Sequence, residues 1–114
     1  MNTLYGIKNC DTVKKARHWM EENKIAYQFH DFRIDGLDMV LLEQLESALG
    51  WENMLNRRST SWRQLDETQK SALSRDKAIS LMLETPTLIK RPVLDTGKKM
   101  LIGFKPENYQ AEFL

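Results

Sequence analysis

The chain has 114 residues, a length that fits one domain with its own hydrophobic core, and no second independent domain is expected. It is 41% hydrophobic and 29% charged with a formal net charge of +1, which gives no general electrostatic attraction to nucleic acid or to an anionic membrane. A single cysteine excludes an intramolecular disulfide and a multi-cysteine zinc site, and no metal site is expected. Nothing resembles a signal peptide or a membrane-spanning run, so a cytoplasmic location is expected.

The first three elements in chain order have the patterns of a strand, a helix and a strand. Residues 3 to 7 are apolar and rich in strand formers. Apolar residues then recur every three or four positions, which predicts a helix of about three turns with Asp11 or Thr12 as its N-cap. Residues 27 to 32 alternate aromatic and polar side chains, as in a strand with one buried face. A helical crossover makes the two strands parallel neighbours in one sheet.

The middle of the chain, from residue 37 to residue 84, is predicted to be mainly helical. One amphipathic helix precedes Gly50, which supplies its stop. Apolar residues between 72 and 83 predict one or two further helices, closed before Pro86. The stretch from 53 to 65 is basic, contains a cluster of hydroxyl residues and is predicted to be irregular.

The C-terminal part predicts a β-hairpin and a last helix. The apolar runs 93–94 and 100–102 flank a short polar turn, and residues 108 to 114 form a closing helix. This element order predicts an α/β, thioredoxin-like fold with a mixed four-stranded sheet. The chain is expected to form one domain over residues 1–114, with a helical insertion at about residues 37–85.

The only cysteine, Cys10, lies where the first strand gives way to the first helix. A helix N-terminus favours thiolate over thiol, because its partial positive charge and unpaired N–H groups stabilise an anion. Lys8, Lys14 and Lys15 add positive charge, whereas Asp11 opposes them. A lone cysteine is also often a buried core residue. The pattern therefore leaves two alternatives, an inert core thiol and a nucleophile.

Arginines supply the second group of candidate site residues. A guanidinium matches an oxyanion or a carboxylate with a rigid two-pronged donor. Arg57 and Arg58 lie in the irregular basic stretch, and a solvated basic surface is the alternative interpretation for them. Arg91 precedes Pro92 at the entry to a strand, where a cis peptide bond would expose the Arg91 backbone to an extended ligand.

Four segments together resemble the ArsC-like family: "YGIKNCDTVKKA", "HDFR", "LNRRSTSWRQL" and "LIKRPVL" followed by "GKKMLIGFKPENY". Within that family the chain is most similar to the YffB subgroup and more distantly similar to the Spx regulators. The resemblance covers nearly the whole chain. It implies a thioredoxin-like fold carrying a helical insertion, in agreement with the element order.

The resemblance also implies roles for individual residues. Cys10 matches the nucleophile of the glutaredoxin-coupled arsenate reductases. Arg57 and Arg91 match two of the three arginines that bind the oxyanion and stabilise the thiolate there. The third arginine is not matched cleanly: the nearest cation is Lys105, a point charge displaced in register. This departure points away from arsenate and towards a glutathione site, with Arg91 and Pro92 as the backbone contact for the substrate.

The interpretation that follows from the resemblance is a glutathione-dependent thiol oxidoreductase with one redox-active cysteine. Glutathione is expected as a co-substrate and glutaredoxin as a partner, with no tightly bound cofactor, no nucleic acid, no membrane and a monomeric chain. Three alternatives stay open: a true arsenate reductase, an Spx-like regulator that binds the RNA polymerase α subunit, and a thioredoxin-fold binding module. Val13 occupies the fourth position of the Cys-x-x-Cys switch of the Spx regulators, so that switch cannot form.

Overall fold

A computed structural model describes residues 1–114 and divides them into two compact units. The sheet unit comprises Met1–Gly36 and Arg91–Leu114, and the helical unit comprises Leu37–Lys90. The elements in chain order are β1 (Thr3–Gly6), α1 (Asp11–Glu22), β2 (Gln28–Asp31), α2 (Met39–Leu49), α3 (Trp51–Met54), α4 (Thr60–Arg63), α5 (Glu67–Lys70), α6 (Arg75–Glu84), a 3-10 turn (Pro86–Leu88), β3 (Val93–Asp95), β4 (Met100–Ile102) and α7 (Pro106–Phe113).

The sheet unit is built on four strands in the order β2-β1-β3-β4. β1 pairs in parallel with β2, while β1 with β3 and β3 with β4 are antiparallel. The hairpin between β3 and β4 closes where the Thr96 N–H donates to the Lys99 carbonyl oxygen at 3.0 Å and the Asp95 carboxylate accepts from the Gly97 N–H at 2.8 Å. The predicted α/β fold with a mixed four-stranded sheet is therefore confirmed.

The core of the sheet unit lies between the sheet and the helices α1 and α7. Five of its residues are fully buried: Leu4, Ala16, Met20, Leu94 and Tyr109. Trp19 and Phe104 pack edge-on against the Tyr109 ring at centroid distances of 5.5 and 4.8 Å. The apolar stripe predicted for the first helix is the face that α1 buries in this core, so the sequence pattern predicts the packing of the helix.

Tyr109 carries a hydroxyl group that is buried without a hydrogen-bond partner. Burial raises the pKa of this hydroxyl well above its usual range. A buried, unsatisfied polar group costs about 1–3 kcal/mol, so Tyr109→Phe is expected to raise the free energy of unfolding by about 1 kcal/mol. Urea denaturation measures the change.

Tyr27→Phe is the matched control, because the Tyr27 hydroxyl accepts from Arg17 Nε at 3.1 Å and donates to Glu21 Oε2 at 2.9 Å. That variant is expected to gain nothing. If Tyr109→Phe also gains no stability, the assignment of an unsatisfied hydroxyl is contradicted.

The helical unit buries apolar side chains from α2, α3, α6 and the 3-10 turn. Gly50 ends α2 with φ 83°, as the sequence predicts. The Asp38 side chain accepts from the Leu41 N–H at 2.8 Å at the start of α2, and Arg75 on α6 pairs with Glu46 on α2 at 2.8 Å. No helix of either unit combines the length and apolar character that crossing a membrane requires.

Two predicted helix starts are wrong by one turn or less, and a stretch predicted to be irregular contains a short helix. The N-cap of α1 is Cys10 rather than Asp11 or Thr12, because Cys10 is extended (φ −123°, ψ 123°) and its carbonyl oxygen accepts from the Lys14 N–H at 2.9 Å. The last helix starts at Pro106, since proline fits a first turn that needs no N–H from it. The basic stretch contains the short helix α4, which the Ser59 side chain caps.

Candidate functional site

Cys10 is a free thiol that is half-buried and lies outside the buried core. It follows β1 after the short loop of residues 7 to 9 and is the N-cap of the twelve-residue helix α1. Its side chain makes no capping hydrogen bond. The thiol therefore lies at a helix start without a hydrogen bond to the helix backbone. This placement disfavours the alternative of an inert core thiol.

The charges along the chain next to Cys10 are mainly positive. Lys8, Lys14 and Lys15 are exposed, and none of them forms an ion pair. Asp11 in the first turn of α1 is also exposed and opposes them. A helix N-terminus with neighbouring cations is the environment in which protein thiols ionise and react as nucleophiles.

The strand directions bring several chain segments to one edge of the sheet, here called the thiol edge and defined by Gly6, Asp31, Val93 and Ile102. Gly6 pairs with Asp31 at the ends of β1 and β2, and Val93 pairs with Ile102 where β3 begins and β4 ends. Because Tyr5 also pairs with Val93, the β1 end and the β3 start lie side by side. The loop to Cys10, the Arg91–Pro92 bond and the chain leading to Lys105 all leave from this edge.

Arg91 and Pro92 immediately precede β3. The Arg91–Pro92 peptide bond is cis, Arg91 is half-buried and Pro92 is buried. The Pro92 carbonyl oxygen accepts from the Gly103 N–H at 2.8 Å. The pair thus lies at the thiol edge in the same unit as Cys10, where the sequence reasoning places a substrate backbone contact.

Lys105 is the N-cap of α7 and is exposed. Its backbone carbonyl oxygen accepts from the N–H groups of Asn108 and Tyr109 at 3.0 and 3.2 Å, and its ammonium group forms no ion pair. It lies three residues beyond the end of β4 and therefore follows the thiol edge. A cation is available there as a solvated point charge.

Arg57 belongs to the helical unit, where it is exposed in the loop before α4. Its guanidinium carbon lies 5.5 Å from the centroid of the Trp62 ring, a cation–π contact. Lys70 approaches the same ring at 5.7 Å. The approach of Arg57 to the Cys10 thiolate stays a prediction.

Asp31 is the site residue that the sequence reasoning missed. It ends β2 with 3% exposure, and its carboxylate accepts from three backbone N–H groups: Lys8 at 2.9 Å, Arg33 at 2.7 Å and Ile34 at 3.2 Å. Burial raises the pKa of the carboxyl group, but these hydrogen bonds and the Arg33 charge outweigh it, so the pKa lies below its usual value. In the sequence, Asp31 is marked only as an acidic residue within "HDFR", at the end of a strand that alternates aromatic and polar side chains.

Gly6 lets α1 pack directly on the end of β1. A Cβ atom at Gly6 would lie 2.8 Å from Cγ2 and 3.2 Å from Cγ1 of Val13, the buried residue in the first turn of α1. In the sequence, Val13 stands out as an apolar residue of the first helix and as the residue at the position of the second switch cysteine. The structure shows that this contact sets how close the Cys10 end of α1 comes to the strand.

Taken together, the mixed sheet, the helix after β1 and one partly exposed cysteine at its start define a thioredoxin-like α/β protein with a single-thiol site. A model described as the ArsC family matches residues 5–112. The chain belongs to the ArsC family.

Similar proteins support the same assignment. The solved structure of the YFFB protein is 50% identical, has a TM-score of 0.94 and is matched over 100% of both chains. An arsenate reductase (ArsC) related protein from Brucella melitensis is 46% identical with a TM-score of 0.82, over 98% of this chain and 93% of its own. The global transcriptional regulator Spx from Streptococcus mutans is 29% identical over 97% of this chain and 82% of its own. The predicted relationships to YffB and, more distantly, to Spx are confirmed.

Proposed function

We propose that this protein is a glutathione-dependent thiol oxidoreductase, related to the arsenate reductases, in which Cys10 is the nucleophile. The observation that carries the proposal is the position of the only cysteine: its thiol is half-buried, makes no capping hydrogen bond and lies at the N-cap of a twelve-residue helix. Membership of the ArsC family and similarity to an arsenate reductase related protein add support for thiol chemistry.

The proposed reaction uses two thiol–disulfide exchanges. The Cys10 thiolate attacks the glutathione sulfur of a mixed disulfide, forming a Cys10–glutathione disulfide and expelling the substrate sulfur, which takes up a proton as a thiol. A second glutathione, or glutaredoxin, then attacks the glutathione sulfur of that adduct and releases the Cys10 thiolate. Overall, the substrate is reduced by two electrons and glutathione or glutaredoxin supplies them. The glutathione requirement implies a cytoplasmic setting.

The proposal assigns separate roles to three cations and to the backbone of Arg91. Arg57, Arg91 and Lys105 favour the thiolate and bind the carboxylates of glutathione, with arginine suited to a two-pronged contact. The Arg91 backbone pairs with the extended tripeptide. No cofactor is tightly bound, and the protein acts as a monomer that glutaredoxin recycles.

The proposal is tested by incubating the protein with glutathione disulfide and measuring its intact mass. The expected result is the addition of one glutathionyl group at Cys10, which glutaredoxin with glutathione removes. Cys10→Ser should form no adduct under the same conditions. A wild-type protein that stays unmodified while a reference glutaredoxin is fully glutathionylated would refute the proposal.

Arg57→Ala and Arg91→Ala are each expected to slow alkylation of Cys10 at neutral pH, because each removes a positive charge that the proposal assigns to the thiol site. The rate with iodoacetamide between pH 5 and pH 10 is the measurement. Arg63→Ala is the control, since Arg63 is an exposed arginine of the same basic stretch to which no role is assigned. Profiles that coincide for all four proteins would remove these arginines from the site.

A second candidate function is a regulator that binds the RNA polymerase α subunit, favoured by the 29% identity to Spx. The position of a second switch cysteine is filled by Val13, which is fully buried against the end of β1. A regulator of this kind would therefore work without an internal disulfide. Capture of purified α subunit together with the absence of any glutathione adduct would favour it.

Arsenate reduction is the third candidate and has its own assay. Turnover of arsenate with glutathione and glutaredoxin, followed by consumption of NADPH through glutathione reductase, would show it directly. The exposed Lys105 in place of a third arginine argues for a weaker oxyanion site than three guanidinium groups provide. Absence of arsenate turnover leaves the thiol reductase proposal unchanged.

A further inference from the structure

We propose that Asp31 is a positioning residue that holds the loop carrying Cys10, so that the thiol is presented at the start of α1. Its importance for catalysis rests on the function proposed above, whereas its effect on the reactivity of the thiol does not. The inference comes from one juxtaposition: a buried carboxylate at the end of β2 accepts a hydrogen bond from the backbone two residues before Cys10.

The two carboxylate oxygens of Asp31 serve two different segments. Oδ2 accepts from the Lys8 N–H at 2.9 Å, in the loop between β1 and α1. Oδ1 accepts from the Arg33 and Ile34 N–H groups at 2.7 and 3.2 Å, in the turn after β2. One side chain therefore links the turn after β2 to Lys8, which lies 23 residues before Asp31 in the chain.

Asp31 is itself held in place, so it can act as a fixed anchor. Its own N–H donates to Asp35 Oδ2 at 2.9 Å, and its carbonyl oxygen accepts from the Asp35 N–H at 2.7 Å. The Phe32 N–H donates to the Gly6 carbonyl oxygen at 2.9 Å, which continues the pairing of β1 with β2 past Asp31. The anchor is thus built into the sheet rather than attached to a free loop.

The loop of residues 7 to 9 is then constrained at both ends and in its middle. β1 fixes its start, the close contact of Gly6 with Val13 fixes the helix at its end, and Asp31 fixes Lys8 between them. Without the Lys8 hydrogen bond the loop has freedom that moves Cys10 relative to the N–H groups of α1. Loss of alignment of this kind slows a reaction by roughly ten- to a hundredfold.

The variant Asp31→Asn removes one of the two acceptors while keeping the size of the side chain. Its amide NH2 must face either the Lys8 N–H or the N–H groups of Arg33 and Ile34. Asp35→Asn is the matched control, because Asp35 lies in the same turn and hydrogen-bonds Asp31 but does not touch Lys8. Both variants weaken the turn, and only the first weakens the link to the Cys10 loop, because even an amide oxygen that faces the Lys8 N–H lacks the carboxylate charge.

Two measurements test the proposal on the folded full-length proteins. Hydrogen exchange reports on the Lys8 amide, and the pH–rate profile with iodoacetamide reports on Cys10. We expect Asp31→Asn to speed exchange at Lys8 and to slow alkylation at neutral pH about tenfold, while Asp35→Asn leaves the alkylation profile unchanged. Equal alkylation profiles for Asp31→Asn and wild type, with faster exchange at Lys8, would overturn the proposal and leave Asp31 a purely structural residue.

The outcome stays decidable if Asp31→Asn does not fold. A Lys8 amide that exchanges freely in the wild type would overturn the proposal without any variant. Asp31→Glu, which keeps the charge, is expected to retain part of the wild-type alkylation rate. The alkylating agent is not glutathione, so the two proposals fail separately. If the wild type forms no glutathione adduct while Asp31→Asn is alkylated more slowly than the wild type, the proposed function is refuted and the role of Asp31 is not.

Discussion

Gly6→Ala is expected to destabilise the protein, because the new Cβ atom would lie 2.8 Å from Val13 Cγ2. Val13 is β-branched and fully buried in a helix, so its side chain has no other favourable rotamer to adopt. Overpacking of this kind costs about 1–3 kcal/mol, whereas the smaller backbone entropy of alanine in the unfolded state returns only about 0.4–1 kcal/mol. The cost of the clash exceeds the entropic gain, and urea denaturation should show a net loss of stability.

A double-mutant cycle with Val13→Ala separates the clash from other effects. Val13→Ala alone should destabilise by creating a cavity, but in Gly6→Ala/Val13→Ala the two colliding methyl groups are gone. The double variant is therefore expected to be more stable than the sum of the single changes predicts, by about 1 kcal/mol or more. Strict additivity would show that α1 moves away from β1 at little cost.

The same cycle bears on the thiol, because Gly6 and Val13 lie on either side of Cys10 in the chain. A Gly6→Ala protein that relieves the clash by shifting α1 also shifts the helix start at which Cys10 lies. Its alkylation rate should fall, and the double variant should recover part of it. The contact between Gly6 and Val13 thus links the packing of the first turn of α1 to the reactivity of Cys10 at its N-cap.

Local sequence patterns predict the elements whose signal is complete within one segment. The strand formers of β1, the apolar stripe of α1 and the polar turn between β3 and β4 are of this kind, and the structure has a strand, a helix and a hairpin at these positions. The crossover rule predicts the parallel pair β1 and β2, and the hairpin pattern predicts the pair β3 and β4, whereas the pairing of β1 with β3 is known only from the structure. Family resemblance adds the thioredoxin-like fold, which the solved relatives confirm.

The helical unit shows where local patterns fail. Ala72 and Leu73 have helical spacing with the residues that follow, yet both lie outside the helices, and Ala72 has φ 52°. The helix begins instead at Arg75, where the Ser74 side chain accepts from the Lys77 N–H. The sequence does not show which of the two signals prevails, the apolar pattern or the capping side chain. In the structure the Ser74 side chain satisfies one of the first N–H groups of the helix, which have no partner within the helix.

The candidate site was predicted in part for a related reason. Cys10 stands out because its chemistry is unique in the chain, and Arg91 because it precedes a proline. Asp31 lies in the segment "HDFR", but nothing there indicates which groups it binds, since its partners are backbone N–H groups, one of them 23 residues away, which any residue type except proline would offer. A side chain that acts on a distant backbone becomes visible only when the sheet register is known.

The largest loss of stability is expected for Asp31→Ala. Hydrogen bonds from backbone N–H groups to a charged acceptor contribute about 1.5–3 kcal/mol each, and Asp31 accepts three of them while 3% exposed. They act as a unit, so the contributions do not add fully, and we expect the free energy of unfolding at pH 7 to fall by about 3 kcal/mol. Asp66→Ala is the control: the Asp66 carboxylate also caps backbone N–H groups and its pKa is also lowered, but water can replace it because it is exposed.

The Asp31 contribution should also depend on pH in one direction. Its pKa in the folded protein lies below the ordinary value of 3.8, since the backbone hydrogen bonds of Lys8, Arg33 and Ile34, together with the Arg33 charge, outweigh the effect of burial. A lowered folded pKa means that the stabilisation is complete above pH 3.8 and is lost as the pH falls through the folded value. The difference in unfolding free energy between wild type and Asp31→Ala should therefore be constant from pH 7 to pH 5 and narrow below pH 4. A difference that stays constant down to pH 2 would mean that the charge of the carboxylate contributes nothing to holding the Cys10 loop.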